Sequence, residues 1–150
     1  MGRRKVMVIY GTRPEAIKVA PLIKQLQAST VVSATTVVTG QHRQILDQVN
    51  QLFGITPDHD LDLMRDGQSL NELSARLLNR LDPILDAEKP DAVVVQGDTT
   101  SVAVSAIAAF YRQVPVVHLE AGLRSGNIAS PYPEEANRRV AGQVAALHLA

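Results

Sequence analysis

The sequence predicts one α/β domain built around a parallel β-sheet. Short apolar runs rich in β-branched residues alternate with segments of ten or more residues in which apolar positions have helical spacing. The apolar runs are followed by glycine and polar residues, as expected where a strand passes into a loop. The chain has 150 residues, of which 45% are apolar and 20% charged, a composition typical of a single globular domain.

Five apolar or alternating runs predict the strands. Four are nearly continuous in apolar residues, which is typical of strands buried on both faces of a sheet. The remaining run, HDLDLM, alternates and predicts a short strand at the edge of the sheet. The predicted strands cover residues 5–10, 31–40, 59–64, 91–98 and 114–122.

Five segments with helical spacing predict the helices. Pro14 and Pro133 fit the first turn of the first and last helices, and Ser69 begins an S-x-x-E capping box. Pro21 should kink the first helix, and Pro83 should bend or end the third. The pattern carries the last helix, with His148, to the end of the sequence. The predicted helices lie within residues 11–29, 42–54, 69–85, 99–113 and 133–150.

The composition and motifs exclude several classes of function. The absence of cysteine excludes disulfides, thiolate catalysis and cysteine-bound zinc. Fifteen basic and fifteen acidic residues leave no net charge, which gives no indication of a nucleic-acid or membrane partner. No apolar run has the length of a signal core or a membrane span, so we expect a cytoplasmic protein. Phosphate-loop, dinucleotide-binding and metal-ligand motifs are also absent from the sequence.

Polar and ionisable residues collect where the predicted strands end. In open parallel sheets, ligands bind beyond the carboxyl ends of the strands, so these positions predict an active-site rim. Carboxylates that lie near one another can transfer protons at neutral pH, and arginine or lysine can hold phosphate. The rim therefore favours a phosphate-bearing substrate that undergoes proton transfer. The candidate proton-transfer residues are Asp98, Glu120 and Glu134, and the candidate cations are Arg13, Lys18, Arg43 and Arg124.

Several of these residues also have an ordinary structural explanation. Asp98 could cap the helix that follows it, and Glu134 could be an acid that favours the first turn of the last helix. His118 could be a buried structural histidine. Arg138 and Arg139 could form a solvated helix face.

Five segments of the rim, taken together, resemble the non-hydrolysing UDP-N-acetylglucosamine 2-epimerases of bacteria. The resemblance runs from residue 5 to residue 150 and covers only the first part of that family's chain. It implies a Rossmann-like parallel sheet with helices on both faces, the first of the two domains of a glycosyltransferase-B-type fold. Residues 1–150 would form this single domain, and a C-terminal nucleotide-binding domain would lie outside them. The segments are GTRPEAIKVAPLI, TGQHRQILDQV, VVVQGDTTS, VPVVHLEAGLRS and PYPEEANRR.

The resemblance also implies an activity. Members of this family interconvert UDP-GlcNAc and UDP-ManNAc by eliminating UDP to give 2-acetamidoglucal and adding it back with inversion at C2. The resemblance assigns acid–base roles to Asp98, Glu120 and Glu134 and implies no metal or other cofactor. It further implies a cytoplasmic enzyme, homodimeric at full length, that supplies an activated amino sugar for cell-surface polysaccharide.

The expected ligand-binding residues follow from the same resemblance. Arg13 and Lys18 match positions that hold or stabilise the nucleotide sugar. Gln41, Gln44 and Glu134 match positions that bind a second, activating UDP-GlcNAc in some members, but those members carry arginine where this chain has Gly67. The expected substrate-binding set is Arg13, Lys18, Gln41, His42, Gln44 and Arg124.

Three alternatives to this reading remain open at the level of sequence. A hydrolysing epimerase would release UDP and free ManNAc from the same scaffold. A non-catalytic module would bind nucleotide sugar or support dimerisation without turnover. A nucleotide-sugar glycosyltransferase is disfavoured, because the five segments match the epimerase pattern. For the epimerase itself, we expect residues 1–150 to fold but to have little or no activity alone.

Overall fold

The computed structural model describes residues 2–40 and 43–150 and places six strands of these residues in one parallel sheet. The order across the sheet is β3-β2-β1-β4-β5-β6, with every neighbouring pair parallel. This confirms the predicted α/β fold. The strands are β1 (Arg4–Tyr10), β2 (Val32–Val38), β3 (His59–Asp60), β4 (Ala92–Gln96), β5 (Val116–Leu119) and β6 (Leu147–Leu149).

The helix starts agree with the sequence signals at Thr12, Pro14 and Ser69, whereas Pro133 lies one residue before the last helix, at its N-cap position. Thr12 and Ser69 each cap a helix through a capping box, and proline occupies the first turn of α1. Pro21 and Pro83 lie inside continuous helices, so Pro83 does not end α3. The helices are α1 (Arg13–Ala28), α2 (Arg43–Phe53), α3 (Leu70–Glu88), α4 (Thr100–Tyr111) and α5 (Glu134–Val144).

The end of the sequence differs from the prediction. Helix α5 ends at Val144, and Leu147–Leu149 pair with β5 as strand β6, so the predicted helix over 133–150 is wrong beyond Val144. The free edge of β5 offers unpaired backbone groups, and a short apolar run can satisfy them as a strand. His148 consequently lies in a strand, directly opposite His118. The predicted edge strand at 59–64 is confirmed, but only over its first two residues.

Helices cover both faces of the sheet, as the sequence predicted. Alternate residues of β1 point to opposite faces, so Met7 belongs to one apolar cluster and Val8 to the other. The first cluster joins the sheet to α3, α4 and α5, and the second joins it to α1 and α2. The central strands are therefore buried on both sides, which explains their continuous apolar sequence.

The order of the strands creates a switch point between β1 and β4. From β1 the chain runs outward through β2 and β3 on one side, and from β4 it runs outward through β5 and β6 on the other. The connections leave the sheet in opposite directions at this point, so a crevice is expected beyond the carboxyl ends of β1 and β4.

The turn after β1 leaves no room for a side chain at Gly11. An added Cβ would lie 1.9 Å from the hydroxyl oxygen of Thr39, which is itself fully buried. We expect Gly11→Ala to lower the free energy of unfolding by about 1–3 kcal/mol, through overpacking of a closed site. Urea unfolding followed by circular dichroism measures this loss.

Two controls accompany the Gly11 variant. Gly2→Ala should be neutral, because nothing lies within 4 Å of an added Cβ there. Gly11→Ala should cost less in a Thr39→Ala background than in the wild type. An equal cost in both backgrounds would show that the clash with Thr39 is not the cause.

Candidate active site

The candidate site lies beyond the carboxyl ends of three adjacent strands. Gly11 follows β1, Gly97 and Asp98 follow β4, and Glu120 follows β5. Because β1, β4 and β5 are neighbours and parallel, these turns meet at the same edge of the sheet. The sequence prediction that the polar residues after these strands share one edge is therefore confirmed.

Glu120 leaves β5 in a left-handed backbone conformation, with φ of 59°. Such a conformation is uncommon for a residue with a side chain and costs about 1 kcal/mol or more. The carboxylate accepts a hydrogen bond from Lys18 Nζ at 2.7 Å and another from the side chain of Gln96. The hydrogen bond from Lys18, together with its charge, lowers the pKa of Glu120, so this carboxylate is ionised at neutral pH.

Arg138 connects two of the predicted acid–base residues. It is only 2% exposed, and its Nη2 donates to Asp98 Oδ2 at 2.5 Å, while Nη1 donates to the backbone carbonyl of Glu120. The suggestion that Arg138 belongs to a solvated helix face is therefore wrong. A buried guanidinium requires partners, and here these partners come from the ends of β4 and β5.

Asp98 does not cap the helix that follows it. The cap of α4 is Thr99, whose hydroxyl accepts from the backbone N–H of Val102 at 3.2 Å. The carboxylate of Asp98 is thus left for Arg138 and remains 28% exposed to the crevice. Charge-assisted pairing with a buried arginine fixes its position without closing it to a ligand.

Glu134 is the first residue of α5 and is partly buried. It lies four residues before Arg138, so both project from the same face of the helix. No hydrogen bond joins its carboxylate to another residue of the described chain. The structure therefore joins Asp98 and Glu120 through Arg138, and it places Glu134 one helical turn away from that arginine.

Glu135, the other acid of this first turn, holds the loop that precedes the helix. It is 3% exposed and accepts from the backbone N–H of Ser125 and from Arg139 Nε, each at 2.9 Å. The hydrogen bond from Ser125, ahead of the one from Arg139, lowers the pKa of Glu135. Arg139 is exposed, which agrees with its interpretation as a surface residue, whereas Glu135 is structural.

The predicted cations occupy different surroundings. Arg13 and Lys18 are exposed on the first turns of α1, at the edge of the crevice. Arg124 donates to the backbone carbonyls of Ala121 and Leu123 and lines a cavity of about 180 Å³ with Asp98 and Arg138, among others.

The remaining predicted residues lie around α2. Arg43 lies 3.5 Å from the carboxylate of Asp60 and 3.6 Å from that of Asp62, next to the edge strand β3 rather than beside Asp98. Gln44 is exposed on the first turn of α2. Gln41 and His42 lie outside the described residues, so their predicted roles remain predictions.

His118 is the buried structural histidine that the sequence allowed. It is fully buried in β5, and its Nε2 lies 2.7 Å from the backbone carbonyl oxygen of Gly97. This contact joins the ends of β4 and β5 beneath Asp98 and Glu120. Burial lowers the pKa of His118, and the nearby charge of Arg138 lowers it further.

Within residues 2–40 and 43–150, no three histidine, aspartate or glutamate side chains form a group that could hold a metal ion. In the same residues, no helix is long and apolar enough to cross a membrane.

The strand order and the helices on both faces define a Rossmann-like α/β domain, which carries a cluster of charged residues at the switch point. The chain belongs to the UDP-N-acetylglucosamine 2-epimerase family, whose profile matches residues 24–150. This confirms the resemblance found in the sequence.

Individual relatives agree with this assignment. A probable UDP-N-acetylglucosamine 2-epimerase of Ralstonia nicotianae is 54% identical over 147 residues, covering 98% of this chain and 39% of the relative. The UDP-GlcNAc 2-epimerase of Neisseria meningitidis, crystallised bound to UDP-GlcNAc, is 47% identical with a TM-score of 0.94 and covers 97% of this chain. This chain therefore spans about two fifths of the length of these relatives.

A more distant likeness concerns the fold alone. MurG of Acinetobacter baumannii has a TM-score of 0.67 at 17% identity, and 40% of its chain is covered. This likeness agrees with the predicted first domain of a glycosyltransferase-B-type fold.

The buried His118 makes the stability of the domain sensitive to mild acid. Because its pKa is lowered in the folded state, the unfolded chain binds a proton more readily. The free energy of unfolding is therefore at its full value above the ordinary histidine pKa of about 6.5. It decreases as the pH falls below that value, by at most about 1.4 kcal/mol per pH unit. Urea unfolding at a series of pH values between about 7.5 and about 5.5 measures the slope.

Replacing His118 by glutamine isolates this effect. Glutamine does not titrate, and its amide can still donate to the carbonyl of Gly97. We expect His118→Gln to flatten the dependence of unfolding free energy on pH in this range. A variant with the same slope as the wild type would assign the acid sensitivity to other groups.

Proposed function

We propose that this chain is the acid–base domain of a UDP-GlcNAc 2-epimerase, an enzyme that interconverts UDP-GlcNAc and UDP-ManNAc. The observation that carries the proposal is the pair of residues Asp98 and Glu120 at the switch point. Arg138 binds the carboxylate of Asp98 and the backbone carbonyl of Glu120, and Lys18 binds the carboxylate of Glu120. Membership of the epimerase family supports it, as does the Neisseria meningitidis relative bound to UDP-GlcNAc. The proposal includes a homodimeric, cytoplasmic full-length enzyme that provides activated amino sugar for cell-surface polysaccharide.

The proposed reaction has two stages. In the first, a base takes the proton from C2, the C2–H electrons form a C1–C2 double bond, and the C1–O electrons leave with UDP to give 2-acetamidoglucal. In the second, UDP oxygen bonds to C1 again, and C2 receives a proton on the opposite face. Inversion therefore requires proton-transfer groups that reach both faces of the sugar ring.

The charges of the site suit these steps. Glu120, whose pKa is lowered by Lys18, is ionised at neutral pH and can accept a proton from one face. Asp98 and Glu134, from the end of β4 and the start of α5, are the candidates for the opposite face. Arg13 and Lys18 at the crevice edge would stabilise the negative charge that develops on the departing phosphate.

Matched substitutions test the assignment of the acids and bases. We expect Asp98→Asn, Glu120→Gln and Glu134→Gln each to lower kcat by at least about 100-fold, since each amide keeps the shape but loses the proton-transfer group. The enzyme for this assay is residues 1–150 joined to the C-terminal part of the Neisseria meningitidis relative. UDP-ManNAc formation is followed by proton NMR.

The control for these variants is Asp86→Asn. Asp86 is an exposed carboxylate near the end of α3, where it pairs with Arg112, and it lies away from the crevice. Its loss should change kcat by less than about twofold. Wild-type rates in both glutamate variants would exclude the proposed acid–base site.

The 150-residue chain alone should be inactive or nearly so. It spans about two fifths of its relatives, so a substrate bound to it would lack contacts and shielding from water that position the reacting groups. Incubation with UDP-GlcNAc in D₂O, followed by NMR, checks this expectation. The proposal would be supported if the isolated chain formed no UDP-ManNAc while the joined enzyme formed UDP-ManNAc with deuterium at C2.

Other products in the same NMR assay would point to different functions. UDP-ManNAc with deuterium at C2, formed by the isolated chain, would contradict the need for a second domain. Free ManNAc from the joined enzyme would indicate a hydrolysing epimerase. If the joined enzyme formed no product but still bound the nucleotide sugar, the chain would be a non-catalytic binding module.

A further inference from the structure

Glu15 is a buried carboxylate at the switch point to which the proposed reaction gives no role. It is 3% exposed and lies in the first turn of α1. Its Oε2 accepts from the backbone N–H groups of Gly11 and Thr12, each at 2.7 Å. Its Oε1 accepts from the hydroxyl of Thr99 at 2.8 Å. One carboxylate therefore joins the turn after β1 to the turn after β4.

The bond to Thr99 goes beyond what helix capping requires. The domain has a second capping box at the start of α3, where Glu72 accepts from the backbone N–H of Ser69 at 2.7 Å. Glu72 is exposed and takes no bond from another strand turn of the described chain. The two boxes share the reciprocal cap. Glu15 differs from Glu72 in its burial, in the additional bond from the backbone N–H of Gly11 and in its bond across the switch point.

Each end of this connection leads to a residue of the candidate site. On the α1 side, Lys18 lies three residues after Glu15, on the next helical turn, and reaches Glu120 at 2.7 Å. On the β4 side, Thr99 directly follows Asp98, whose carboxylate is held by Arg138. A change in the distance between the two turns would therefore move Lys18 relative to Asp98.

We propose that Glu15 is a positioning residue that clamps the turn after β1 to the turn after β4, so that Lys18 meets Glu120 while Asp98 stays on Arg138. Glu15 reaches no substrate, because it is enclosed by the turns that it joins. The role in turnover rests on the proposed function, whereas the clamp itself is a property of this chain.

Burial and hydrogen bonding have opposite effects on the pKa of Glu15. Burial raises the pKa of this carboxyl, and the hydrogen bonds from Gly11, Thr99 and Thr12 oppose the rise. A raised pKa in the folded state means that stability is lost as the pH rises through that pKa. The three hydrogen bonds to the two turns, rather than the titration of this carboxyl, assign Glu15 its positioning role.

The first test needs no turnover and uses the 150-residue chain. The carboxyl carbon of Glu120 is followed by ¹³C NMR through a pH titration, in the wild type, Glu15→Gln and the matched control Glu72→Gln. Because Lys18 lowers the pKa of Glu120, displacement of Lys18 should raise the titration midpoint. We expect an upward shift of about 0.5 pH unit or more in Glu15→Gln and none in Glu72→Gln.

Variants of Thr99 separate the clamp from the charge of Glu15. Thr99→Val removes the hydroxyl and leaves Glu15 in place, so it should shift the Glu120 midpoint in the same direction as Glu15→Gln. Thr99→Ser keeps the hydroxyl and should restore the wild-type midpoint. Only signals of the folded state are compared, so partial unfolding does not imitate the effect. Midpoints that are unchanged in both Glu15→Gln and Thr99→Val would overturn the proposal.

The second test measures turnover in the joined enzyme described above. We expect Glu15→Gln and Thr99→Val to lower kcat about tenfold with KM within about twofold, the pattern of misplaced reacting groups. Glu72→Gln and Thr99→Ser should keep wild-type kcat within about twofold. An inactive wild-type enzyme would refute the proposed function, while the titration would still decide the clamp. An active enzyme with unchanged kcat in Glu15→Gln would overturn the positioning role.

Discussion

The buried guanidinium of Arg138 is the interaction on which the candidate site depends. It carries a charge into a region that is almost closed to solvent, and it is stable there because Asp98 and the carbonyl of Glu120 surround it. These partners come from the ends of two neighbouring strands, while Arg138 comes from α5. One side chain thus fixes helix α5 against the sheet and sets the distance between two candidate proton-transfer residues.

The conformation of Glu120 follows from this arrangement. Its left-handed backbone directs the carbonyl to Arg138 and leaves the carboxylate to meet Lys18 and Gln96. Backbone strain of this kind persists only where surrounding contacts determine the geometry, and it is common at functional sites. The neighbouring charges keep the carboxylate ionised, so geometry and protonation state are set by the same contacts.

The parallel sheet makes these contacts possible. Strands β1, β4 and β5 are adjacent and point the same way, so the turns that follow them are brought together although they are distant in sequence. Buried apolar clusters on both faces hold the strands rigidly, and the polar residues are confined to the strand ends. A rigid sheet that carries its reactive groups on short turns can keep them in position more accurately than a long loop can.

The sequence by itself determined the types and order of most elements. Continuous apolar runs, helical spacing and capping boxes are local signals, and they predicted β1, β2, β4, β5 and the starts of α1 and α3 correctly. The last three-residue strand was missed because a run that short has no periodicity to separate strand from helix. The rim at the strand ends was also predictable, since any parallel sheet collects those ends at one edge.

Only the tertiary structure decided which of the rim residues contact one another. Arg138 has the sequence appearance of a surface residue, because its partners lie 40 and 18 residues away and become neighbours only when α5 packs on the sheet. Glu15 likewise looks like an ordinary capping residue until β1 and β4 lie side by side and Thr99 reaches it. Local sequence patterns predict the structural role of a residue within its own helix or strand. The burial of a charge depends instead on which distant groups surround it.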